Sequence, residues 1–135
     1  MKIALITGSC GLVGSESVEF FIKKKFTVIG IDNDLRKFFF GKEASTRWVK
    51  SFLEKKYNKN YIHFNSNISK INDIEKIFRK YKHNIRLIIH SAAQPSHDWA
   101  ASNPELDFNV NAIGTLNMWK LTKKYLQKNT PFIYM

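Results

Sequence analysis

The chain has 135 residues, 44% hydrophobic and 24% charged, which is the balance of one globular domain with a sizeable core and excludes a disordered chain. A single cysteine, Cys10, excludes an internal disulfide, leaves no metal cluster expected, and suits a reducing cytoplasm. The net charge of +11 invites a polyanionic partner. The lysines, however, are scattered late in predicted helices without interleaved aromatics, so no nucleic-acid partner is expected.

Met1–Thr7 reads as a short buried strand. Gly8-Ser9-Cys10-Gly11-Leu12-Val13-Gly14 reads as a tight glycine turn that opens a helix running to Lys25. Leu12, Val13, Val18, Phe21 and Ile22 fall at core spacing in that helix. Phe26–Ile31 is a second strand, apolar almost throughout as a parallel strand covered on both faces should be, and it ends on Asp32. From Asn33 to Asn60 the pattern loosens into an insertion, with a helix from about Thr46 to Lys56. The adjacent Phe38, Phe39 and Phe40 cannot all face one core. They fit a packed hydrophobic loop or a wall against a ligand, and both readings stay open.

Tyr61–Phe64 is a third strand, followed by a helix with Asn72 as cap and Glu75 three residues on. Ile85–His90 is a fourth strand that runs into the small polar loop Ser91-Ala92-Ala93-Gln94-Pro95. Asn103-Pro104-Glu105 starts a long helix to about Lys128 that carries Leu106, Val110, Ile113, Leu116 and Tyr125 inward. Thr130-Pro131 stops it, and Phe132–Met135 begins a fifth strand. Strand and helix alternate throughout, which predicts an α/β fold with a doubly wound parallel sheet. No apolar run approaches the roughly 18 residues that span a bilayer, and no signal peptide is read at the N-terminus.

Three glycines at spacing three after an apolar strand let the backbone approach a pyrophosphate, which the helix N-terminus then holds. Asp32, 18 residues after Gly14, is placed to accept ribose hydroxyls and favours NAD over NADP. Arg36 nearby tempers that preference, because it reaches a phosphate or the adenine face equally well. The four histidines share no metal-ligand spacing. His90, at a strand end, reads as a satisfied buried histidine. His97-Asp98 either contacts substrate or initiates a helix, and the residues alone do not choose.

Thr7-Gly8-x-x-Gly11-x-x-Gly14 with Asp32-Asn33 resembles the extended short-chain dehydrogenase/reductase family, the NAD-dependent sugar-nucleotide epimerases and dehydratases. Four stretches, Gly8–Glu16, Phe39–Trp48, Ala92–Ala101 and Asp107–Asn117, are similar to its CDP-paratose 2-epimerase branch. The resemblance implies a Rossmann-type NAD-binding unit over residues 1–135, with NAD as cofactor and a nucleotide-sugar substrate, a CDP-sugar in that branch. It implies cofactor contacts from Gly8, Cys10, Gly11, Leu12, Val13, Gly14, Asp32, Asn33, Arg36, Asn67, Ile68, Ala92, Ala93, Gln94 and Asn111. Ser96 and His97 would face substrate.

Asn67 stands where the family has an aspartate near adenine, so the amide keeps an acceptor and loses the charge. The reaction implied is transient hydride removal from a sugar carbon and its return to the opposite face. It needs a Ser/Thr and a Tyr-x-x-x-Lys pair. No tyrosine here has a lysine four residues on, so no catalytic residue is assigned. The expectation is a cofactor half that stops after the fifth strand, with the substrate domain absent and a homo-oligomer open for the full-length protein. A stand-alone, non-catalytic NAD-binding module is the alternative, as is another epimerase or dehydratase of the family.

Overall fold

The computed structural model describes residues Met1–Met135. β1 (Ile3–Thr7) is buried at every position, because neighbours flank both its edges and helices cover both its faces. Its side chains alternate: Ile3 and Leu5 enter one apolar core, Ala4 and Ile6 the other. β2 (Thr27–Ile31), β3 (Tyr61–Phe64), β4 (Ile85–His90) and β5 (Phe132–Tyr134) join it in a sheet of order β3-β2-β1-β4-β5, parallel throughout. This is the doubly wound α/β architecture expected from the alternation of elements.

One core lies under α4 (Ile71–Tyr81) and α7 (Gly114–Tyr125), with Ile74, Ile77, Phe78, Met118 and Leu121 buried against the strands. The other lies under α1 (Leu12–Lys23) and α3 (Arg47–Tyr57), around Val18, Val49 and Leu53. The register aligns Thr7 with Ile31 on one side and with His90 on the other. The carboxyl ends of the three central strands therefore sit side by side. The order also reverses between β1 and β4, so the loops leaving those two strands diverge and open a crevice.

Several expectations need correction. Leu12 and Val13 are not core residues: they are 83% and 42% exposed, because the first turn of α1 faces the crevice. α4 begins at Ile71 with Lys70 as its cap, so Asn72 lies inside the helix and caps nothing. The long helix is interrupted. α6 (Pro104–Phe108) passes through a π turn over Asn109–Ile113 into α7. A π turn accommodates one extra residue and rotates the face that follows. Gly114, Asn117, Met118 and Leu121 thus turn inward, while Leu116 is 43% exposed.

The insertion holds a short helix, α2 (Leu35–Phe40), not read from the sequence. Asp34 ties it down from a left-handed conformation, φ 56°. Its carboxylate accepts the Thr46 N–H at 2.7 Å and the Ser45 and Thr46 hydroxyls at 2.7 and 3.2 Å, beside Arg47 at 3.5 Å. Burial works against ionisation, but these donors and the guanidinium hold the carboxyl below its ordinary range. Asp34→Ala is expected to destabilise the protein by about 2 kcal/mol, the scale of losing hydrogen bonds to a charged acceptor, as read by urea unfolding at neutral pH. That increment is present above the ordinary aspartate range and fades as pH falls through it.

Candidate cofactor site

The glycine turn is built by backbone contacts. Gly8, at φ +66°, donates its N–H to Ile31 O at 2.8 Å, and Gly11 N–H closes on Gly8 O at 2.9 Å. A Cβ on Gly8 would stand 2.8 Å from Ala92 N, and one on Gly14 would stand 1.9 Å from Gly8 O. The turn, the first turn of α1 and the loop after β4 therefore stack backbone on backbone with no room for side chains. The N-cap of α1 is Gly11. No side chain caps the helix and no acid lies in its first turn, so its leading N–H groups and positive dipole end face the crevice uncompensated.

Beneath the turn, Ser9 Oγ pairs with Tyr61 OH at 3.0 Å, which in turn reaches His63 Nδ1 at 3.2 Å. Cys10 is buried beside them, and burial pushes its thiol up to about 11, which makes it an inert packing group. Its backbone is what serves the site: Cys10 N–H donates to Asp32 Oδ2 at 3.0 Å. Asp34 N–H donates to Asp32 Oδ1 at 2.9 Å. Burial raises the Asp32 carboxyl above its ordinary value, against the pull of these two donors.

Together these segments enclose a cleft of about 310 Å³. It gathers Gly8, Gly11, Leu12, Val13 and Gly14 from the turn, Asp32, Asn33 and Arg36 after β2, Asn67 and Ile68 after β3, and Ala92 and Ala93 after β4. Asn33 Oδ1 accepts Leu35 N–H at 3.2 Å, and Asn67 Oδ1 accepts Ser69 N–H at 2.9 Å, so both amides also fold their own loops. Five expected residues stand behind the wall or outside it, the buried Cys10 among them because its side chain turns into the core beneath the glycine turn. Gln94 is buried, its side chain bonded to Asp107 Oδ1 at 3.0 Å and to Ser96 O at 2.9 Å. Asn111 grips the Gln94 backbone from the π turn. Ser96 caps α5 (His97–Ser102) by accepting Trp99 N–H at 3.3 Å, and His97 is exposed in its first turn.

The three phenylalanines divide their roles. Phe39 is buried on the cleft wall, Phe38 stacks on Trp99 at 5.3 Å, and the Arg36 guanidinium lies 5.3 Å over Phe40. Trp99 Nε1–H donates to Phe39 O at 2.9 Å and locks α5 against α2. Both readings of the Phe run thus hold, Phe39 on the cleft wall and Phe38 in the packed lip, while the Trp99 partner is a tertiary contact the sequence does not mark.

His90 is fully buried at the end of β4, between Thr7 Oγ1 at 2.7 Å and Thr115 Oγ1 at 2.9 Å. Burial depresses its ring from 6.5 to about 4. The unfolded chain binds that proton first, so the neutral ring's stabilisation is complete above pH 6.5 and is lost as pH falls towards 4. On the order of 3 kcal/mol is at stake. Urea unfolding across that window should show the decline, and His90→Asn should lack this component.

A crevice at the switch point, an uncapped helix N-terminus behind a glycine turn and an acid closing the second strand define a Rossmann-type α/β unit. A family model described as GDP-mannose 4,6 dehydratase matches residues 5–135, and the chain belongs to that family of NAD-dependent epimerases and dehydratases. It is 31% identical over 134 residues to the CDP-paratose 2-epimerase of Salmonella typhi, covering 99% of this chain and 36% of that protein. The UDP-glucose 4-epimerase of Thermus thermophilus, solved in complex with NAD, superposes with a TM-score of 0.70 at 27% identity, over 91% of this chain and 34% of that one. The UDP-Glc/GlcNAc 4-epimerase of Campylobacter jejuni shares the fold at a TM-score of 0.80 and 20% identity, over 99% of this chain and 36% of that one. The chain thus spans about a third of the length of these relatives. No helix is long and apolar enough to cross a membrane.

Proposed function

We propose that this chain is the NAD-binding part of a sugar-nucleotide epimerase that acts on a CDP-sugar in the manner of CDP-paratose 2-epimerase and works in the cytoplasm. The observation that carries the reading is the convergence of the glycine turn, Asp32 and the Ala92–Ala93 segment on one cleft. The residues fit the cofactor. A pyrophosphate needs a backbone surface free of Cβ atoms and unpaired N–H groups, and the turn between Gly8 and Gly14 supplies both. Held there, NAD would supply the hydride-accepting and hydride-returning chemistry that epimerisation at a sugar carbon needs.

The chain's own residues bind and orient. The first turn of α1 holds the pyrophosphate. Asp32 and Asn33 accept from the adenosine ribose, with Arg36 over the lip. Asn67 and Ile68 flank the adenine, Asn67 accepting through its amide oxygen. Ala92 and Ala93 would wall the nicotinamide side, where their small side chains leave room for the ring. Gln94 and Asn111 hold that wall in place, and Ser96 and His97 lie towards the substrate.

Calorimetric titration of the chain with NAD and NADP tests the cofactor, and a folded chain that binds neither rejects the reading. Incubating the full-length protein with CDP-paratose and with UDP-glucose tests the substrate. Inversion at C2 of the CDP-sugar is the expected result, and conversion of UDP-glucose alone would move the assignment to a 4-epimerase.

A further inference from the structure

The proposed binding roles leave the buried histidine at the end of β4 unused. His90 has both ring nitrogens occupied, and the two ends of its hydrogen-bond chain have fixed directions. At one end, the Thr115 hydroxyl donates its proton to Asn111 O at 2.6 Å. A hydroxyl has one proton, so Thr115 Oγ1 meets His90 Nε2, 2.9 Å away, as an acceptor, and Nε2 carries the hydrogen. At the other end, Ala92 N–H donates to Thr7 Oγ1 at 3.2 Å. That leaves the Thr7 proton for His90 Nδ1 at 2.7 Å, which is the bare nitrogen of a neutral ring.

The chain of bonds closes on itself. Asn111, whose carbonyl Thr115 holds, uses its side chain to grip the far end of the β4 loop. Its Oδ1 accepts Gln94 N–H at 2.8 Å and its Nδ2 donates to Gln94 O at 3.1 Å. The path from Ala92 along the backbone to Gln94, then through Asn111, Thr115, His90 and Thr7, returns to Ala92. We propose that His90, as its Nε2–H tautomer, is a positioning residue of the cleft: with Thr115 it closes this ring and fixes the Ala92–Gln94 segment against the glycine turn. The proposal rests on reading the cleft as the cofactor site.

Two features give the ring consequence. Ala92 packs so tightly on Gly8 that a Cβ there would meet its backbone, so a shift in the segment is transmitted to the cradle. The Thr115 hydroxyl also bonds back to the carbonyl four residues earlier, Asn111 O in the π turn, so the partner of His90 Nε2 is anchored on the residue that grips Gln94. Thr115 therefore links the π turn to the histidine tautomer.

Nitrogen–proton correlation spectra of the wild-type imidazole should show Nε2 protonated and Nδ1 bare at neutral pH. Thr115→Val keeps the shape and removes the hydroxyl. It should speed amide exchange at Ala92 and Gln94 about tenfold relative to β2 and β3 and weaken NAD binding about tenfold, the scale of one buried hydrogen bond. Thr115→Ser should restore both. An Nδ1–H tautomer, exchange that rises evenly across the sheet, or failure of Thr115→Ser to rescue overturns the proposal. Should the valine variant not fold, Thr115→Ala carries the same comparison. If the wild-type chain binds no NAD, the cofactor reading falls, while the tautomer and exchange measurements still decide the ring.

Discussion

Gly14→Ala is expected to lower NAD affinity at least a hundredfold and to destabilise the fold by about 3 kcal/mol. The added methyl would stand 1.9 Å from Gly8 O, 2.7 Å from Gly8 C and 2.9 Å from Ser9 Cα, and all of these are backbone atoms. Relief requires the turn to retreat by more than an ångström, and it has nowhere to go. Gly8 is bonded to Ile31 O at 2.8 Å and already abuts the backbone of Ser91 and Ala92. Overpacking at a site that cannot relax lies at the upper end of the usual 1–3 kcal/mol range.

Two other glycines calibrate the effect. A methyl on Gly11 would lie 3.3 Å from Gly8 O, a few tenths of an ångström too close, so Gly11→Ala should be milder in both measurements. Gly41 has nothing within 4 Å but a φ of +85°, so Gly41→Ala should cost about 1 kcal/mol of backbone strain and leave NAD affinity unchanged. Urea unfolding separates the structural loss from the binding loss, and NAD titration of the folded fraction reads the latter. Undiminished NAD binding by Gly14→Ala would remove the glycine turn from the site.

What the sequence made legible follows from how local its signals are. The third and fourth strands, Tyr61–Phe64 and Ile85–His90, run between the ends read from their apolar runs, because punctuating polar residues bound them on both sides. The glycine turn was legible because its spacing and flanking elements are a local pattern. Leu12 and Val13 were misread as core because a periodicity argument assumes that every apolar face meets protein, whereas this one meets a cleft. The π turn at Asn109–Ile113 leaves no local mark. Its Asn111 amide is engaged from a distance by the Gln94 backbone, a contact no local pattern announces, and the inward stripe of α7 is displaced relative to a regular helix. The six-residue helices α2 and α5 are too short for periodicity and are held by one another through Trp99.

Asp32→Ala should cut NAD affinity roughly 10- to 150-fold, since hydrogen bonds to a charged partner contribute about 1.5–3 kcal/mol and each 1.4 kcal/mol is tenfold. It should weaken NADP far less, collapsing the preference between the two. The carboxylate is held at the cleft by Cys10 N–H on one oxygen and Asp34 N–H on the other, so its remaining lone pairs are aimed before any ligand arrives. A ribose carrying two hydroxyls donates to them, whereas a 2′-phosphate brings charge against charge.

The pH dependence has a definite sign. Burial raises this carboxyl above the ordinary aspartate value, so as pH falls it protonates and loses acceptor capacity sooner than an exposed aspartate would. NAD binding by the wild type should therefore weaken on the acid side, and the Asp32→Ala variant should lack that step. The countervailing group is Arg36, exposed on the lip and braced over Phe40, the one cation among the cleft-lining residues. If the wild type binds NADP as tightly as NAD, Arg36 dominates, and Arg36→Ala should then restore the preference for NAD. If Asp32→Ala leaves both affinities unchanged, the adenosine ribose does not lie at the end of β2.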